Sequence, residues 1–178
     1  PKQNTHAVLR ENLIEKIKHD YDFIFIDSGP HLDAFLTNSL ASAHLIMTPI
    51  PPAQVDFHST LKYLSRIPEL LQIISESGCE PELITSIGFM SKLANKVDHK
   101  LCHSFAKEVF GGDMLDVVLP RLDAFERCGE SFDTVISANP TAYAGSAVAL
   151  RSARSAALDF VKAFFDRVEF IRMELDYV

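Results

Sequence analysis

Phe23-Ile24-Phe25-Ile26 is a run of four apolar residues that ends at Asp27 and is broken by Ser28-Gly29-Pro30. A continuous apolar run of strand length, without alternation, is what a strand covered on both faces requires. Leu45-Ile46-Met47 repeats the pattern and is stopped by Pro49, Pro51 and Pro52. Leu83 to Met90 and Met114 to Leu119, the latter ending at Pro120, predict two further strands, and Phe132 to Ile136 a short one.

Helical periodicity fills the intervals. His6 to His19 carries Val8, Leu9, Leu13, Ile14 and Ile17 on one stripe, with Asn4 and Thr5 as candidate caps. Leu32 to Ala43 reads as a second helix. A longer one follows with Phe57, Leu61 and Leu64 on one face, and Pro68 should break it near Ile67. Asn95 to Phe110 is helical up to Gly111-Gly112, and Leu122 to Cys128 is a short helix or turn. Gly145 to Met173 predicts a long helix with Val161, Phe164, Phe165, Val168 and Ile171 toward the core. Helices alternating with fully apolar strands predict an α/β fold, a parallel sheet with helices on both faces. In such sheets ligands bind beyond the carboxyl ends of the strands. That singles out 27–30, Thr48-Pro49, Met90-Ser91-Lys92 and Pro120-Arg121.

Composition narrows the function classes. The 178 residues are 47% hydrophobic and 23% charged, which excludes a disordered or fibrous chain. No apolar run approaches the length of a membrane helix. Seventeen basic residues against 24 acidic ones give a net charge of -7, which argues against strong nucleic-acid binding by one copy. Cys79, Cys102 and Cys128 are widely spaced and odd in number, as expected of reduced thiols in the cytosol. The sequence opens on Pro1-Lys2-Gln3-Asn4 with neither an initiating Met nor a basic-then-apolar leader, and is expected to be part of something longer.

Asp27 is the strongest candidate for chemistry. A carboxylate at the end of an apolar strand is a Walker-B-like arrangement, held rigidly, partly desolvated and able to support Mg²⁺. The same placement also serves a helix cap or a turn. The phosphate cradle G-x-x-x-x-G-K-[ST] is not present: Gly111-Gly112 leads into Asp113, and no lysine accompanies Gly145-Ser146 or Gly29. His99 and His103 have metal-ligand spacing but no Glu after His99 and no third ligand. Asp27, Ser28 and His31 could form a hydrolase triad only by converging in space, and Ser28 lacks the G-x-S-x-G elbow. Arg121 and Arg127, with Lys92, Lys96 and Lys100, could edge a phosphate-facing surface or simply be solvated charge.

Three stretches in order, YDFIFIDSGPHLD (21–33), TPIPPAQVDFH (48–58) and LPRLDAFERCGE (119–130), resemble the ParA/SopA-type plasmid partition ATPases, the large branch of the deviant Walker family. The resemblance runs over essentially the whole chain. It implies the carboxyl-terminal part, 1–178, of one ParA-type ATPase domain. The deviant P-loop segment and helix-turn-helix region would lie ahead of it, so the P-loop NTPase-like sheet would be incomplete at its amino-terminal end. It further implies ATP and ADP with Mg²⁺ as cofactors, homodimerisation around the nucleotide, and non-specific DNA binding in the ATP state. Hydrolysis would be stimulated by a ParB-type centromere-binding partner, in the cytoplasm at the nucleoid and not at a membrane. By residue, Asp27 would stand near Mg²⁺, and Ser28 to Asp33 would form the switch that senses the γ-phosphate, giving Asp27, Ser28 and Asp33 as catalytic candidates. Thr48, Pro49, Pro51 and Pro52 would lie behind the phosphates, Met90, Ser91, Pro120 and Arg121 would flank adenine, and Arg127 would contact DNA. With no P-loop lysine, the isolated chain is expected to be inactive. The alternatives are a non-catalytic interaction module and an unrelated α/β hydrolase using Ser28.

Overall fold

The computed structural model describes residues 5–29 and 31–176. The chain forms two compact units, one built from the residues up to Met47 with His58–Ile87, the other from Thr48–Phe57 with the chain from Gly88 onward. The elements are a π-helical turn Arg10–Ile14 continuing into α1 (Glu15–Ile17), α2 (Ala34–Ser42), β1 (Leu45–Ile50), α3 (Gln54–Leu64), α4 (Ile67–Glu76), β2 (Thr85–Met90), α5 (Val97–Phe110), α6 (Asp123–Glu130) and α7 (Ala147–Asp176). β1 and β2 are neighbours in a two-stranded sheet. They run parallel, since Ile84 N–H donates to His44 O and Ser91 N–H to Ile50 O, the pairing advancing in the same direction along both chains. The α/β class with parallel strands is therefore as the sequence predicts.

The 23–26 run is where the structure departs from the expected pattern. It forms no regular element and lies outside the strands of the sheet. Phe25 is 72% exposed, and the Phe23 and Phe25 rings stack with centroids 6.5 Å apart. Apolar, β-branched sequence favours a strand, but a strand needs a ladder, and the ladder is a tertiary property.

In the first unit, Ala7, Leu36, Leu40, Ala41, Ile67, Ile74 and Cys79 form the core, with Ile46, Tyr63, Leu64, Leu70 and Leu71 against it. The Pro68 break occurs as expected: α3 ends at Leu64 and α4 restarts with the proline in its first turn, where a missing N–H costs nothing. The amino-terminal helix differs from its sequence pattern. A π-turn is wider than an α-turn, so its insertion changes the phase of the apolar stripe, burying Ala7 and Ile14 and leaving Val8 and Leu13 exposed. Its first turn is not capped by Thr5. Asn38 of α2 accepts from Leu9 N–H (3.0 Å) and donates to Thr5 O and Ala34 O (2.8 Å each). The other predicted cap, Asn4, lies outside the described residues.

In the second unit, Ala124, Cys128, Val135, Ala138, Leu150 and Ala153 form the core between α6, the following turn and α7. α7 buries Leu150, Ala153 and Phe164, while Val161 and Phe165, predicted to face inward, are exposed. Phe89 of β2 packs on Phe160 at 4.7 Å between centroids. The predicted fourth strand, 114–119, is irregular. It touches β2 at two points, Leu115 N–H to Gly88 O and Leu119 N–H to Met90 O (2.9 Å each). The predicted strand 132–136 is a turn, because Phe132 has φ 54° and is fully exposed. α5 ends at Gly111, whose φ of 53° favours a residue without Cβ. Cys79, Cys102 and Cys128 are all free.

Candidate nucleotide and DNA-facing residues

In the first unit, Asp27 and Ser28 follow the apolar run and are exposed. The expected partial desolvation of Asp27 is not found, because the 23–26 run that carries it is not covered in a sheet. Among the described residues, no side-chain hydrogen bond joins Asp27, Ser28 and His31, so the triad geometry of a serine hydrolase is not formed. Asp33 has an evident structural task. It is the N-cap of α2 in extended conformation, and its Oδ1 accepts from Leu36 N–H at 2.9 Å. The Asp33 backbone N–H donates to His31 O at 3.1 Å, which tightens the turn ahead of the helix.

Among the described residues, no group of three or more His, Cys, Asp or Glu could hold a metal ion. Mg²⁺ bound with a nucleotide takes one or two carboxylates, phosphate oxygens and water, not a protein cage. Asp27, exposed after the 23–26 run, offers one such carboxylate. His99 is engaged otherwise, its Nδ1 accepting from Ala94 N–H at 3.0 Å ahead of α5. Burial and the nearby Lys107 ammonium both hold the His103 imidazole below its usual pKa.

In the second unit the two loops singled out from sequence are brought together. Leu119 N–H donates to Met90 O (2.9 Å), Leu93 N–H to Leu119 O (3.1 Å) and Arg121 N–H to Leu93 O (2.8 Å). Met90 is fully buried, Ser91 and Pro120 are half-buried, and Arg121 is exposed. Ser91 N–H is held by Ile50 O at 3.0 Å, which ties the same loop to the end of β1. Lys92 turns this loop with φ 55°, a left-handed conformation that a lysine adopts only under constraint. Thr48 of β1 is buried and Pro49 exposed, and Pro51-Pro52 end the strand.

Arg127 lies in the last turn of α6, exposed, where a cation is favoured by the helix dipole. It borders a shallow hollow of about 280 Å³ whose floor includes Ala138, Ala142 and Tyr143. Arg154 of α7, which reads from sequence as one more solvated cation, shapes this wall. Its Nε donates to Val135 O (2.9 Å) and its Nη2 to Ala138 O (2.7 Å). Arg167 similarly bonds Asp113 at 3.3 Å and lies over the Phe170 ring. No sequence signal separates these committed arginines from the exposed ones, because their acceptors are turn carbonyls and a carboxylate distant along the chain.

No helix among the described residues is long and apolar enough to cross a membrane. A family model described as an AAA domain matches residues 1–77. The chain is 73% identical to plasmid partition protein A of Escherichia coli over 172 residues, covering 97% of this chain and 43% of that protein. It is 35% identical to SopA of Escherichia coli strain K12 over 78 residues, covering 44% of this chain and 20% of the relative. A solved structure titled "Partition Protein" superposes with a TM-score of 0.78 at 49% identity, over 97% of this chain and 42% of that one. The chain thus spans less than half the length of these relatives. Over 97% of its length the chain is thus similar to a plasmid partition protein in sequence and to a solved partition protein in fold, in agreement with the resemblance carried by its three sequence motifs.

Proposed function

We propose that this chain is the carboxyl-terminal part of an ATP-dependent partition switch that segregates plasmids. The observation that carries the reading is the 73% identity to plasmid partition protein A through 97% of the chain. The AAA-domain match over 1–77 supports nucleotide use and hydrolysis of ATP to ADP with Mg²⁺. Asp27 supports the metal through its water shell, and 28–33 forms the segment that responds to the γ-phosphate. The loops carrying Met90, Ser91, Pro120 and Arg121 flank the adenine, and their mutual backbone bonds supply the rigidity such a wall needs.

Two copies close around nucleotide, and the dimer binds non-specific DNA. A net charge of -7 makes one copy a poor DNA ligand, so the few positioned cations, Arg127 among them, act by being doubled. Nucleotide that favours the dimer thereby favours DNA, through its differential affinity for the two states. A ParB-type partner accelerates hydrolysis and resets the cycle at the nucleoid. The chain lacks a phosphate cradle of its own, so by itself it neither binds nor turns over ATP.

The test is Asp27→Ala in the full gene product. Hydrolysis should fall by about 100-fold or more with the fold intact by circular dichroism, and plasmid retention should fail. Normal turnover by this variant would leave Asp27 with no role in the chemistry.

A further inference from the structure

Asp123, Glu126 and Glu130 stand around Arg127 on α6, and these four side chains line one polar hollow. Asp123 is four residues before Arg127 and Glu130 three after it, which places both on its helix face. All four residues are exposed. Yet among the described residues no ion pair within 4 Å joins Arg127 to any of the three. The guanidinium is left open to solvent while three carboxylates remain within reach of its field. Arg154 and Arg167, by contrast, are committed to partners within the fold.

We propose that Asp123, Glu126 and Glu130 form an acidic collar that limits how strongly Arg127 attracts a DNA phosphate. This rests on the reading of Arg127 as a DNA contact given under Proposed function. A phosphate docked on Arg127 lies about one Debye length, roughly 8 Å at physiological salt, or less from carboxylates on the same helix. Repulsion at that range through solvent changes affinity by roughly twofold for each charge. The collar keeps each contact weak, so the strength of DNA retention depends on how many protomers are engaged and therefore on the nucleotide state. Asp123 and Glu126 both lie in the first turn of α6, where negative charge also favours the helix N-terminus; Asp123, at the very start, carries more of that role, so Glu126 and Glu130 are the positions changed.

The experiment measures binding of random-sequence duplex DNA to the full gene product with ATP across a salt series. Four proteins are compared: wild type, Arg127→Ala, Glu126→Gln/Glu130→Gln, and the triple variant. The double variant should bind about threefold to fourfold tighter near physiological salt, with the gain fading as the Debye length shrinks toward about 3 Å at 1 M. Added to Arg127→Ala, the same two changes should restore much less. If Arg127→Ala weakens DNA binding but the double variant binds no tighter than wild type, the collar is refuted and the DNA contact stands. If Arg127→Ala binds DNA as wild type does, the contact itself fails and the collar with it. A gain of affinity is not produced by misfolding, which keeps the test decisive.

Discussion

Asp33 holds two assignments that one pair of substitutions separates. Its carboxylate accepts from Leu36 N–H at 2.9 Å and caps α2, and the proposed function also gives it, within the 28–33 segment, a part in sensing nucleotide. Asp33→Ala removes the acceptor and leaves the first turn of α2 with one more unsatisfied N–H. Loss of such a cap costs about 1 kcal/mol. The Leu36 N–H itself loses its acceptor in this variant, so the informative amide is that of Leu40, which is buried in the same core further along α2 and exchanges when the helix opens. A loss of about 1 kcal/mol should therefore speed exchange at Leu40 about fivefold, read by hydrogen exchange on the full gene product. Asn caps about as well as Asp, so Asp33→Asn should leave protection near the wild-type level. Unchanged protection in Asp33→Ala would refute the capping argument. Asp33→Asn then isolates the charge: if it keeps the cap and loses ATP turnover, the carboxylate acts on the nucleotide. Full turnover in Asp33→Asn would leave Asp33 as a cap alone.

Two further predictions concern the second unit. A Cβ on Gly88 would stand 3.1 Å from Ile50 Cδ1, 3.1 Å from Phe110 Cδ1 and 3.3 Å from Met114 Sδ, so Gly88→Ala should cost about 1–3 kcal/mol by overpacking. Urea unfolding at the wild-type midpoint would contradict the tight packing about β2. Arg154→Leu strands the carbonyls of Val135 and Ala138, and should cost about 3 kcal/mol, with Arg154→Lys in between because an ammonium cannot reproduce the two-pronged geometry. Equal unfolding midpoints for Arg and Lys at 154 would show that charge alone matters there.

Much of the fold was legible in the sequence because punctuation is local. Pro68 separates α3 from α4, Gly111 ends α5 and Pro51-Pro52 end β1, each through local backbone restrictions, although Pro49, also expected to stop β1, lies within it. The loop at 90–93 was legible as the end of β2, whereas 119–121 was expected to follow a strand and follows an irregular segment, and the hydrogen bonds that tie the two together were not legible. Arg127 was legible only through family resemblance. Its acidic surroundings were visible as letters, but whether they closed ion pairs was not.

The sequence by itself determined the α/β class, the places of β1 and β2 and most of the helices, since each follows from residue type and spacing over a single turn or strand; the cap at Asp33 and the absence of strands at 23–26, 114–119 and 132–136 came from the structure. Tertiary structure decided what distant chain supplies. It set the apolar 23–26 run outside the sheet, inserted a π-turn that changed the phase of the first helix, and capped that helix from Asn38. It also turned Arg154 and Arg167 into internal braces while leaving Arg127 in solvent. The physical reason is common to all four. A backbone or guanidinium hydrogen bond is satisfied by whichever group the folded chain brings near, and sequence spacing does not encode that distance.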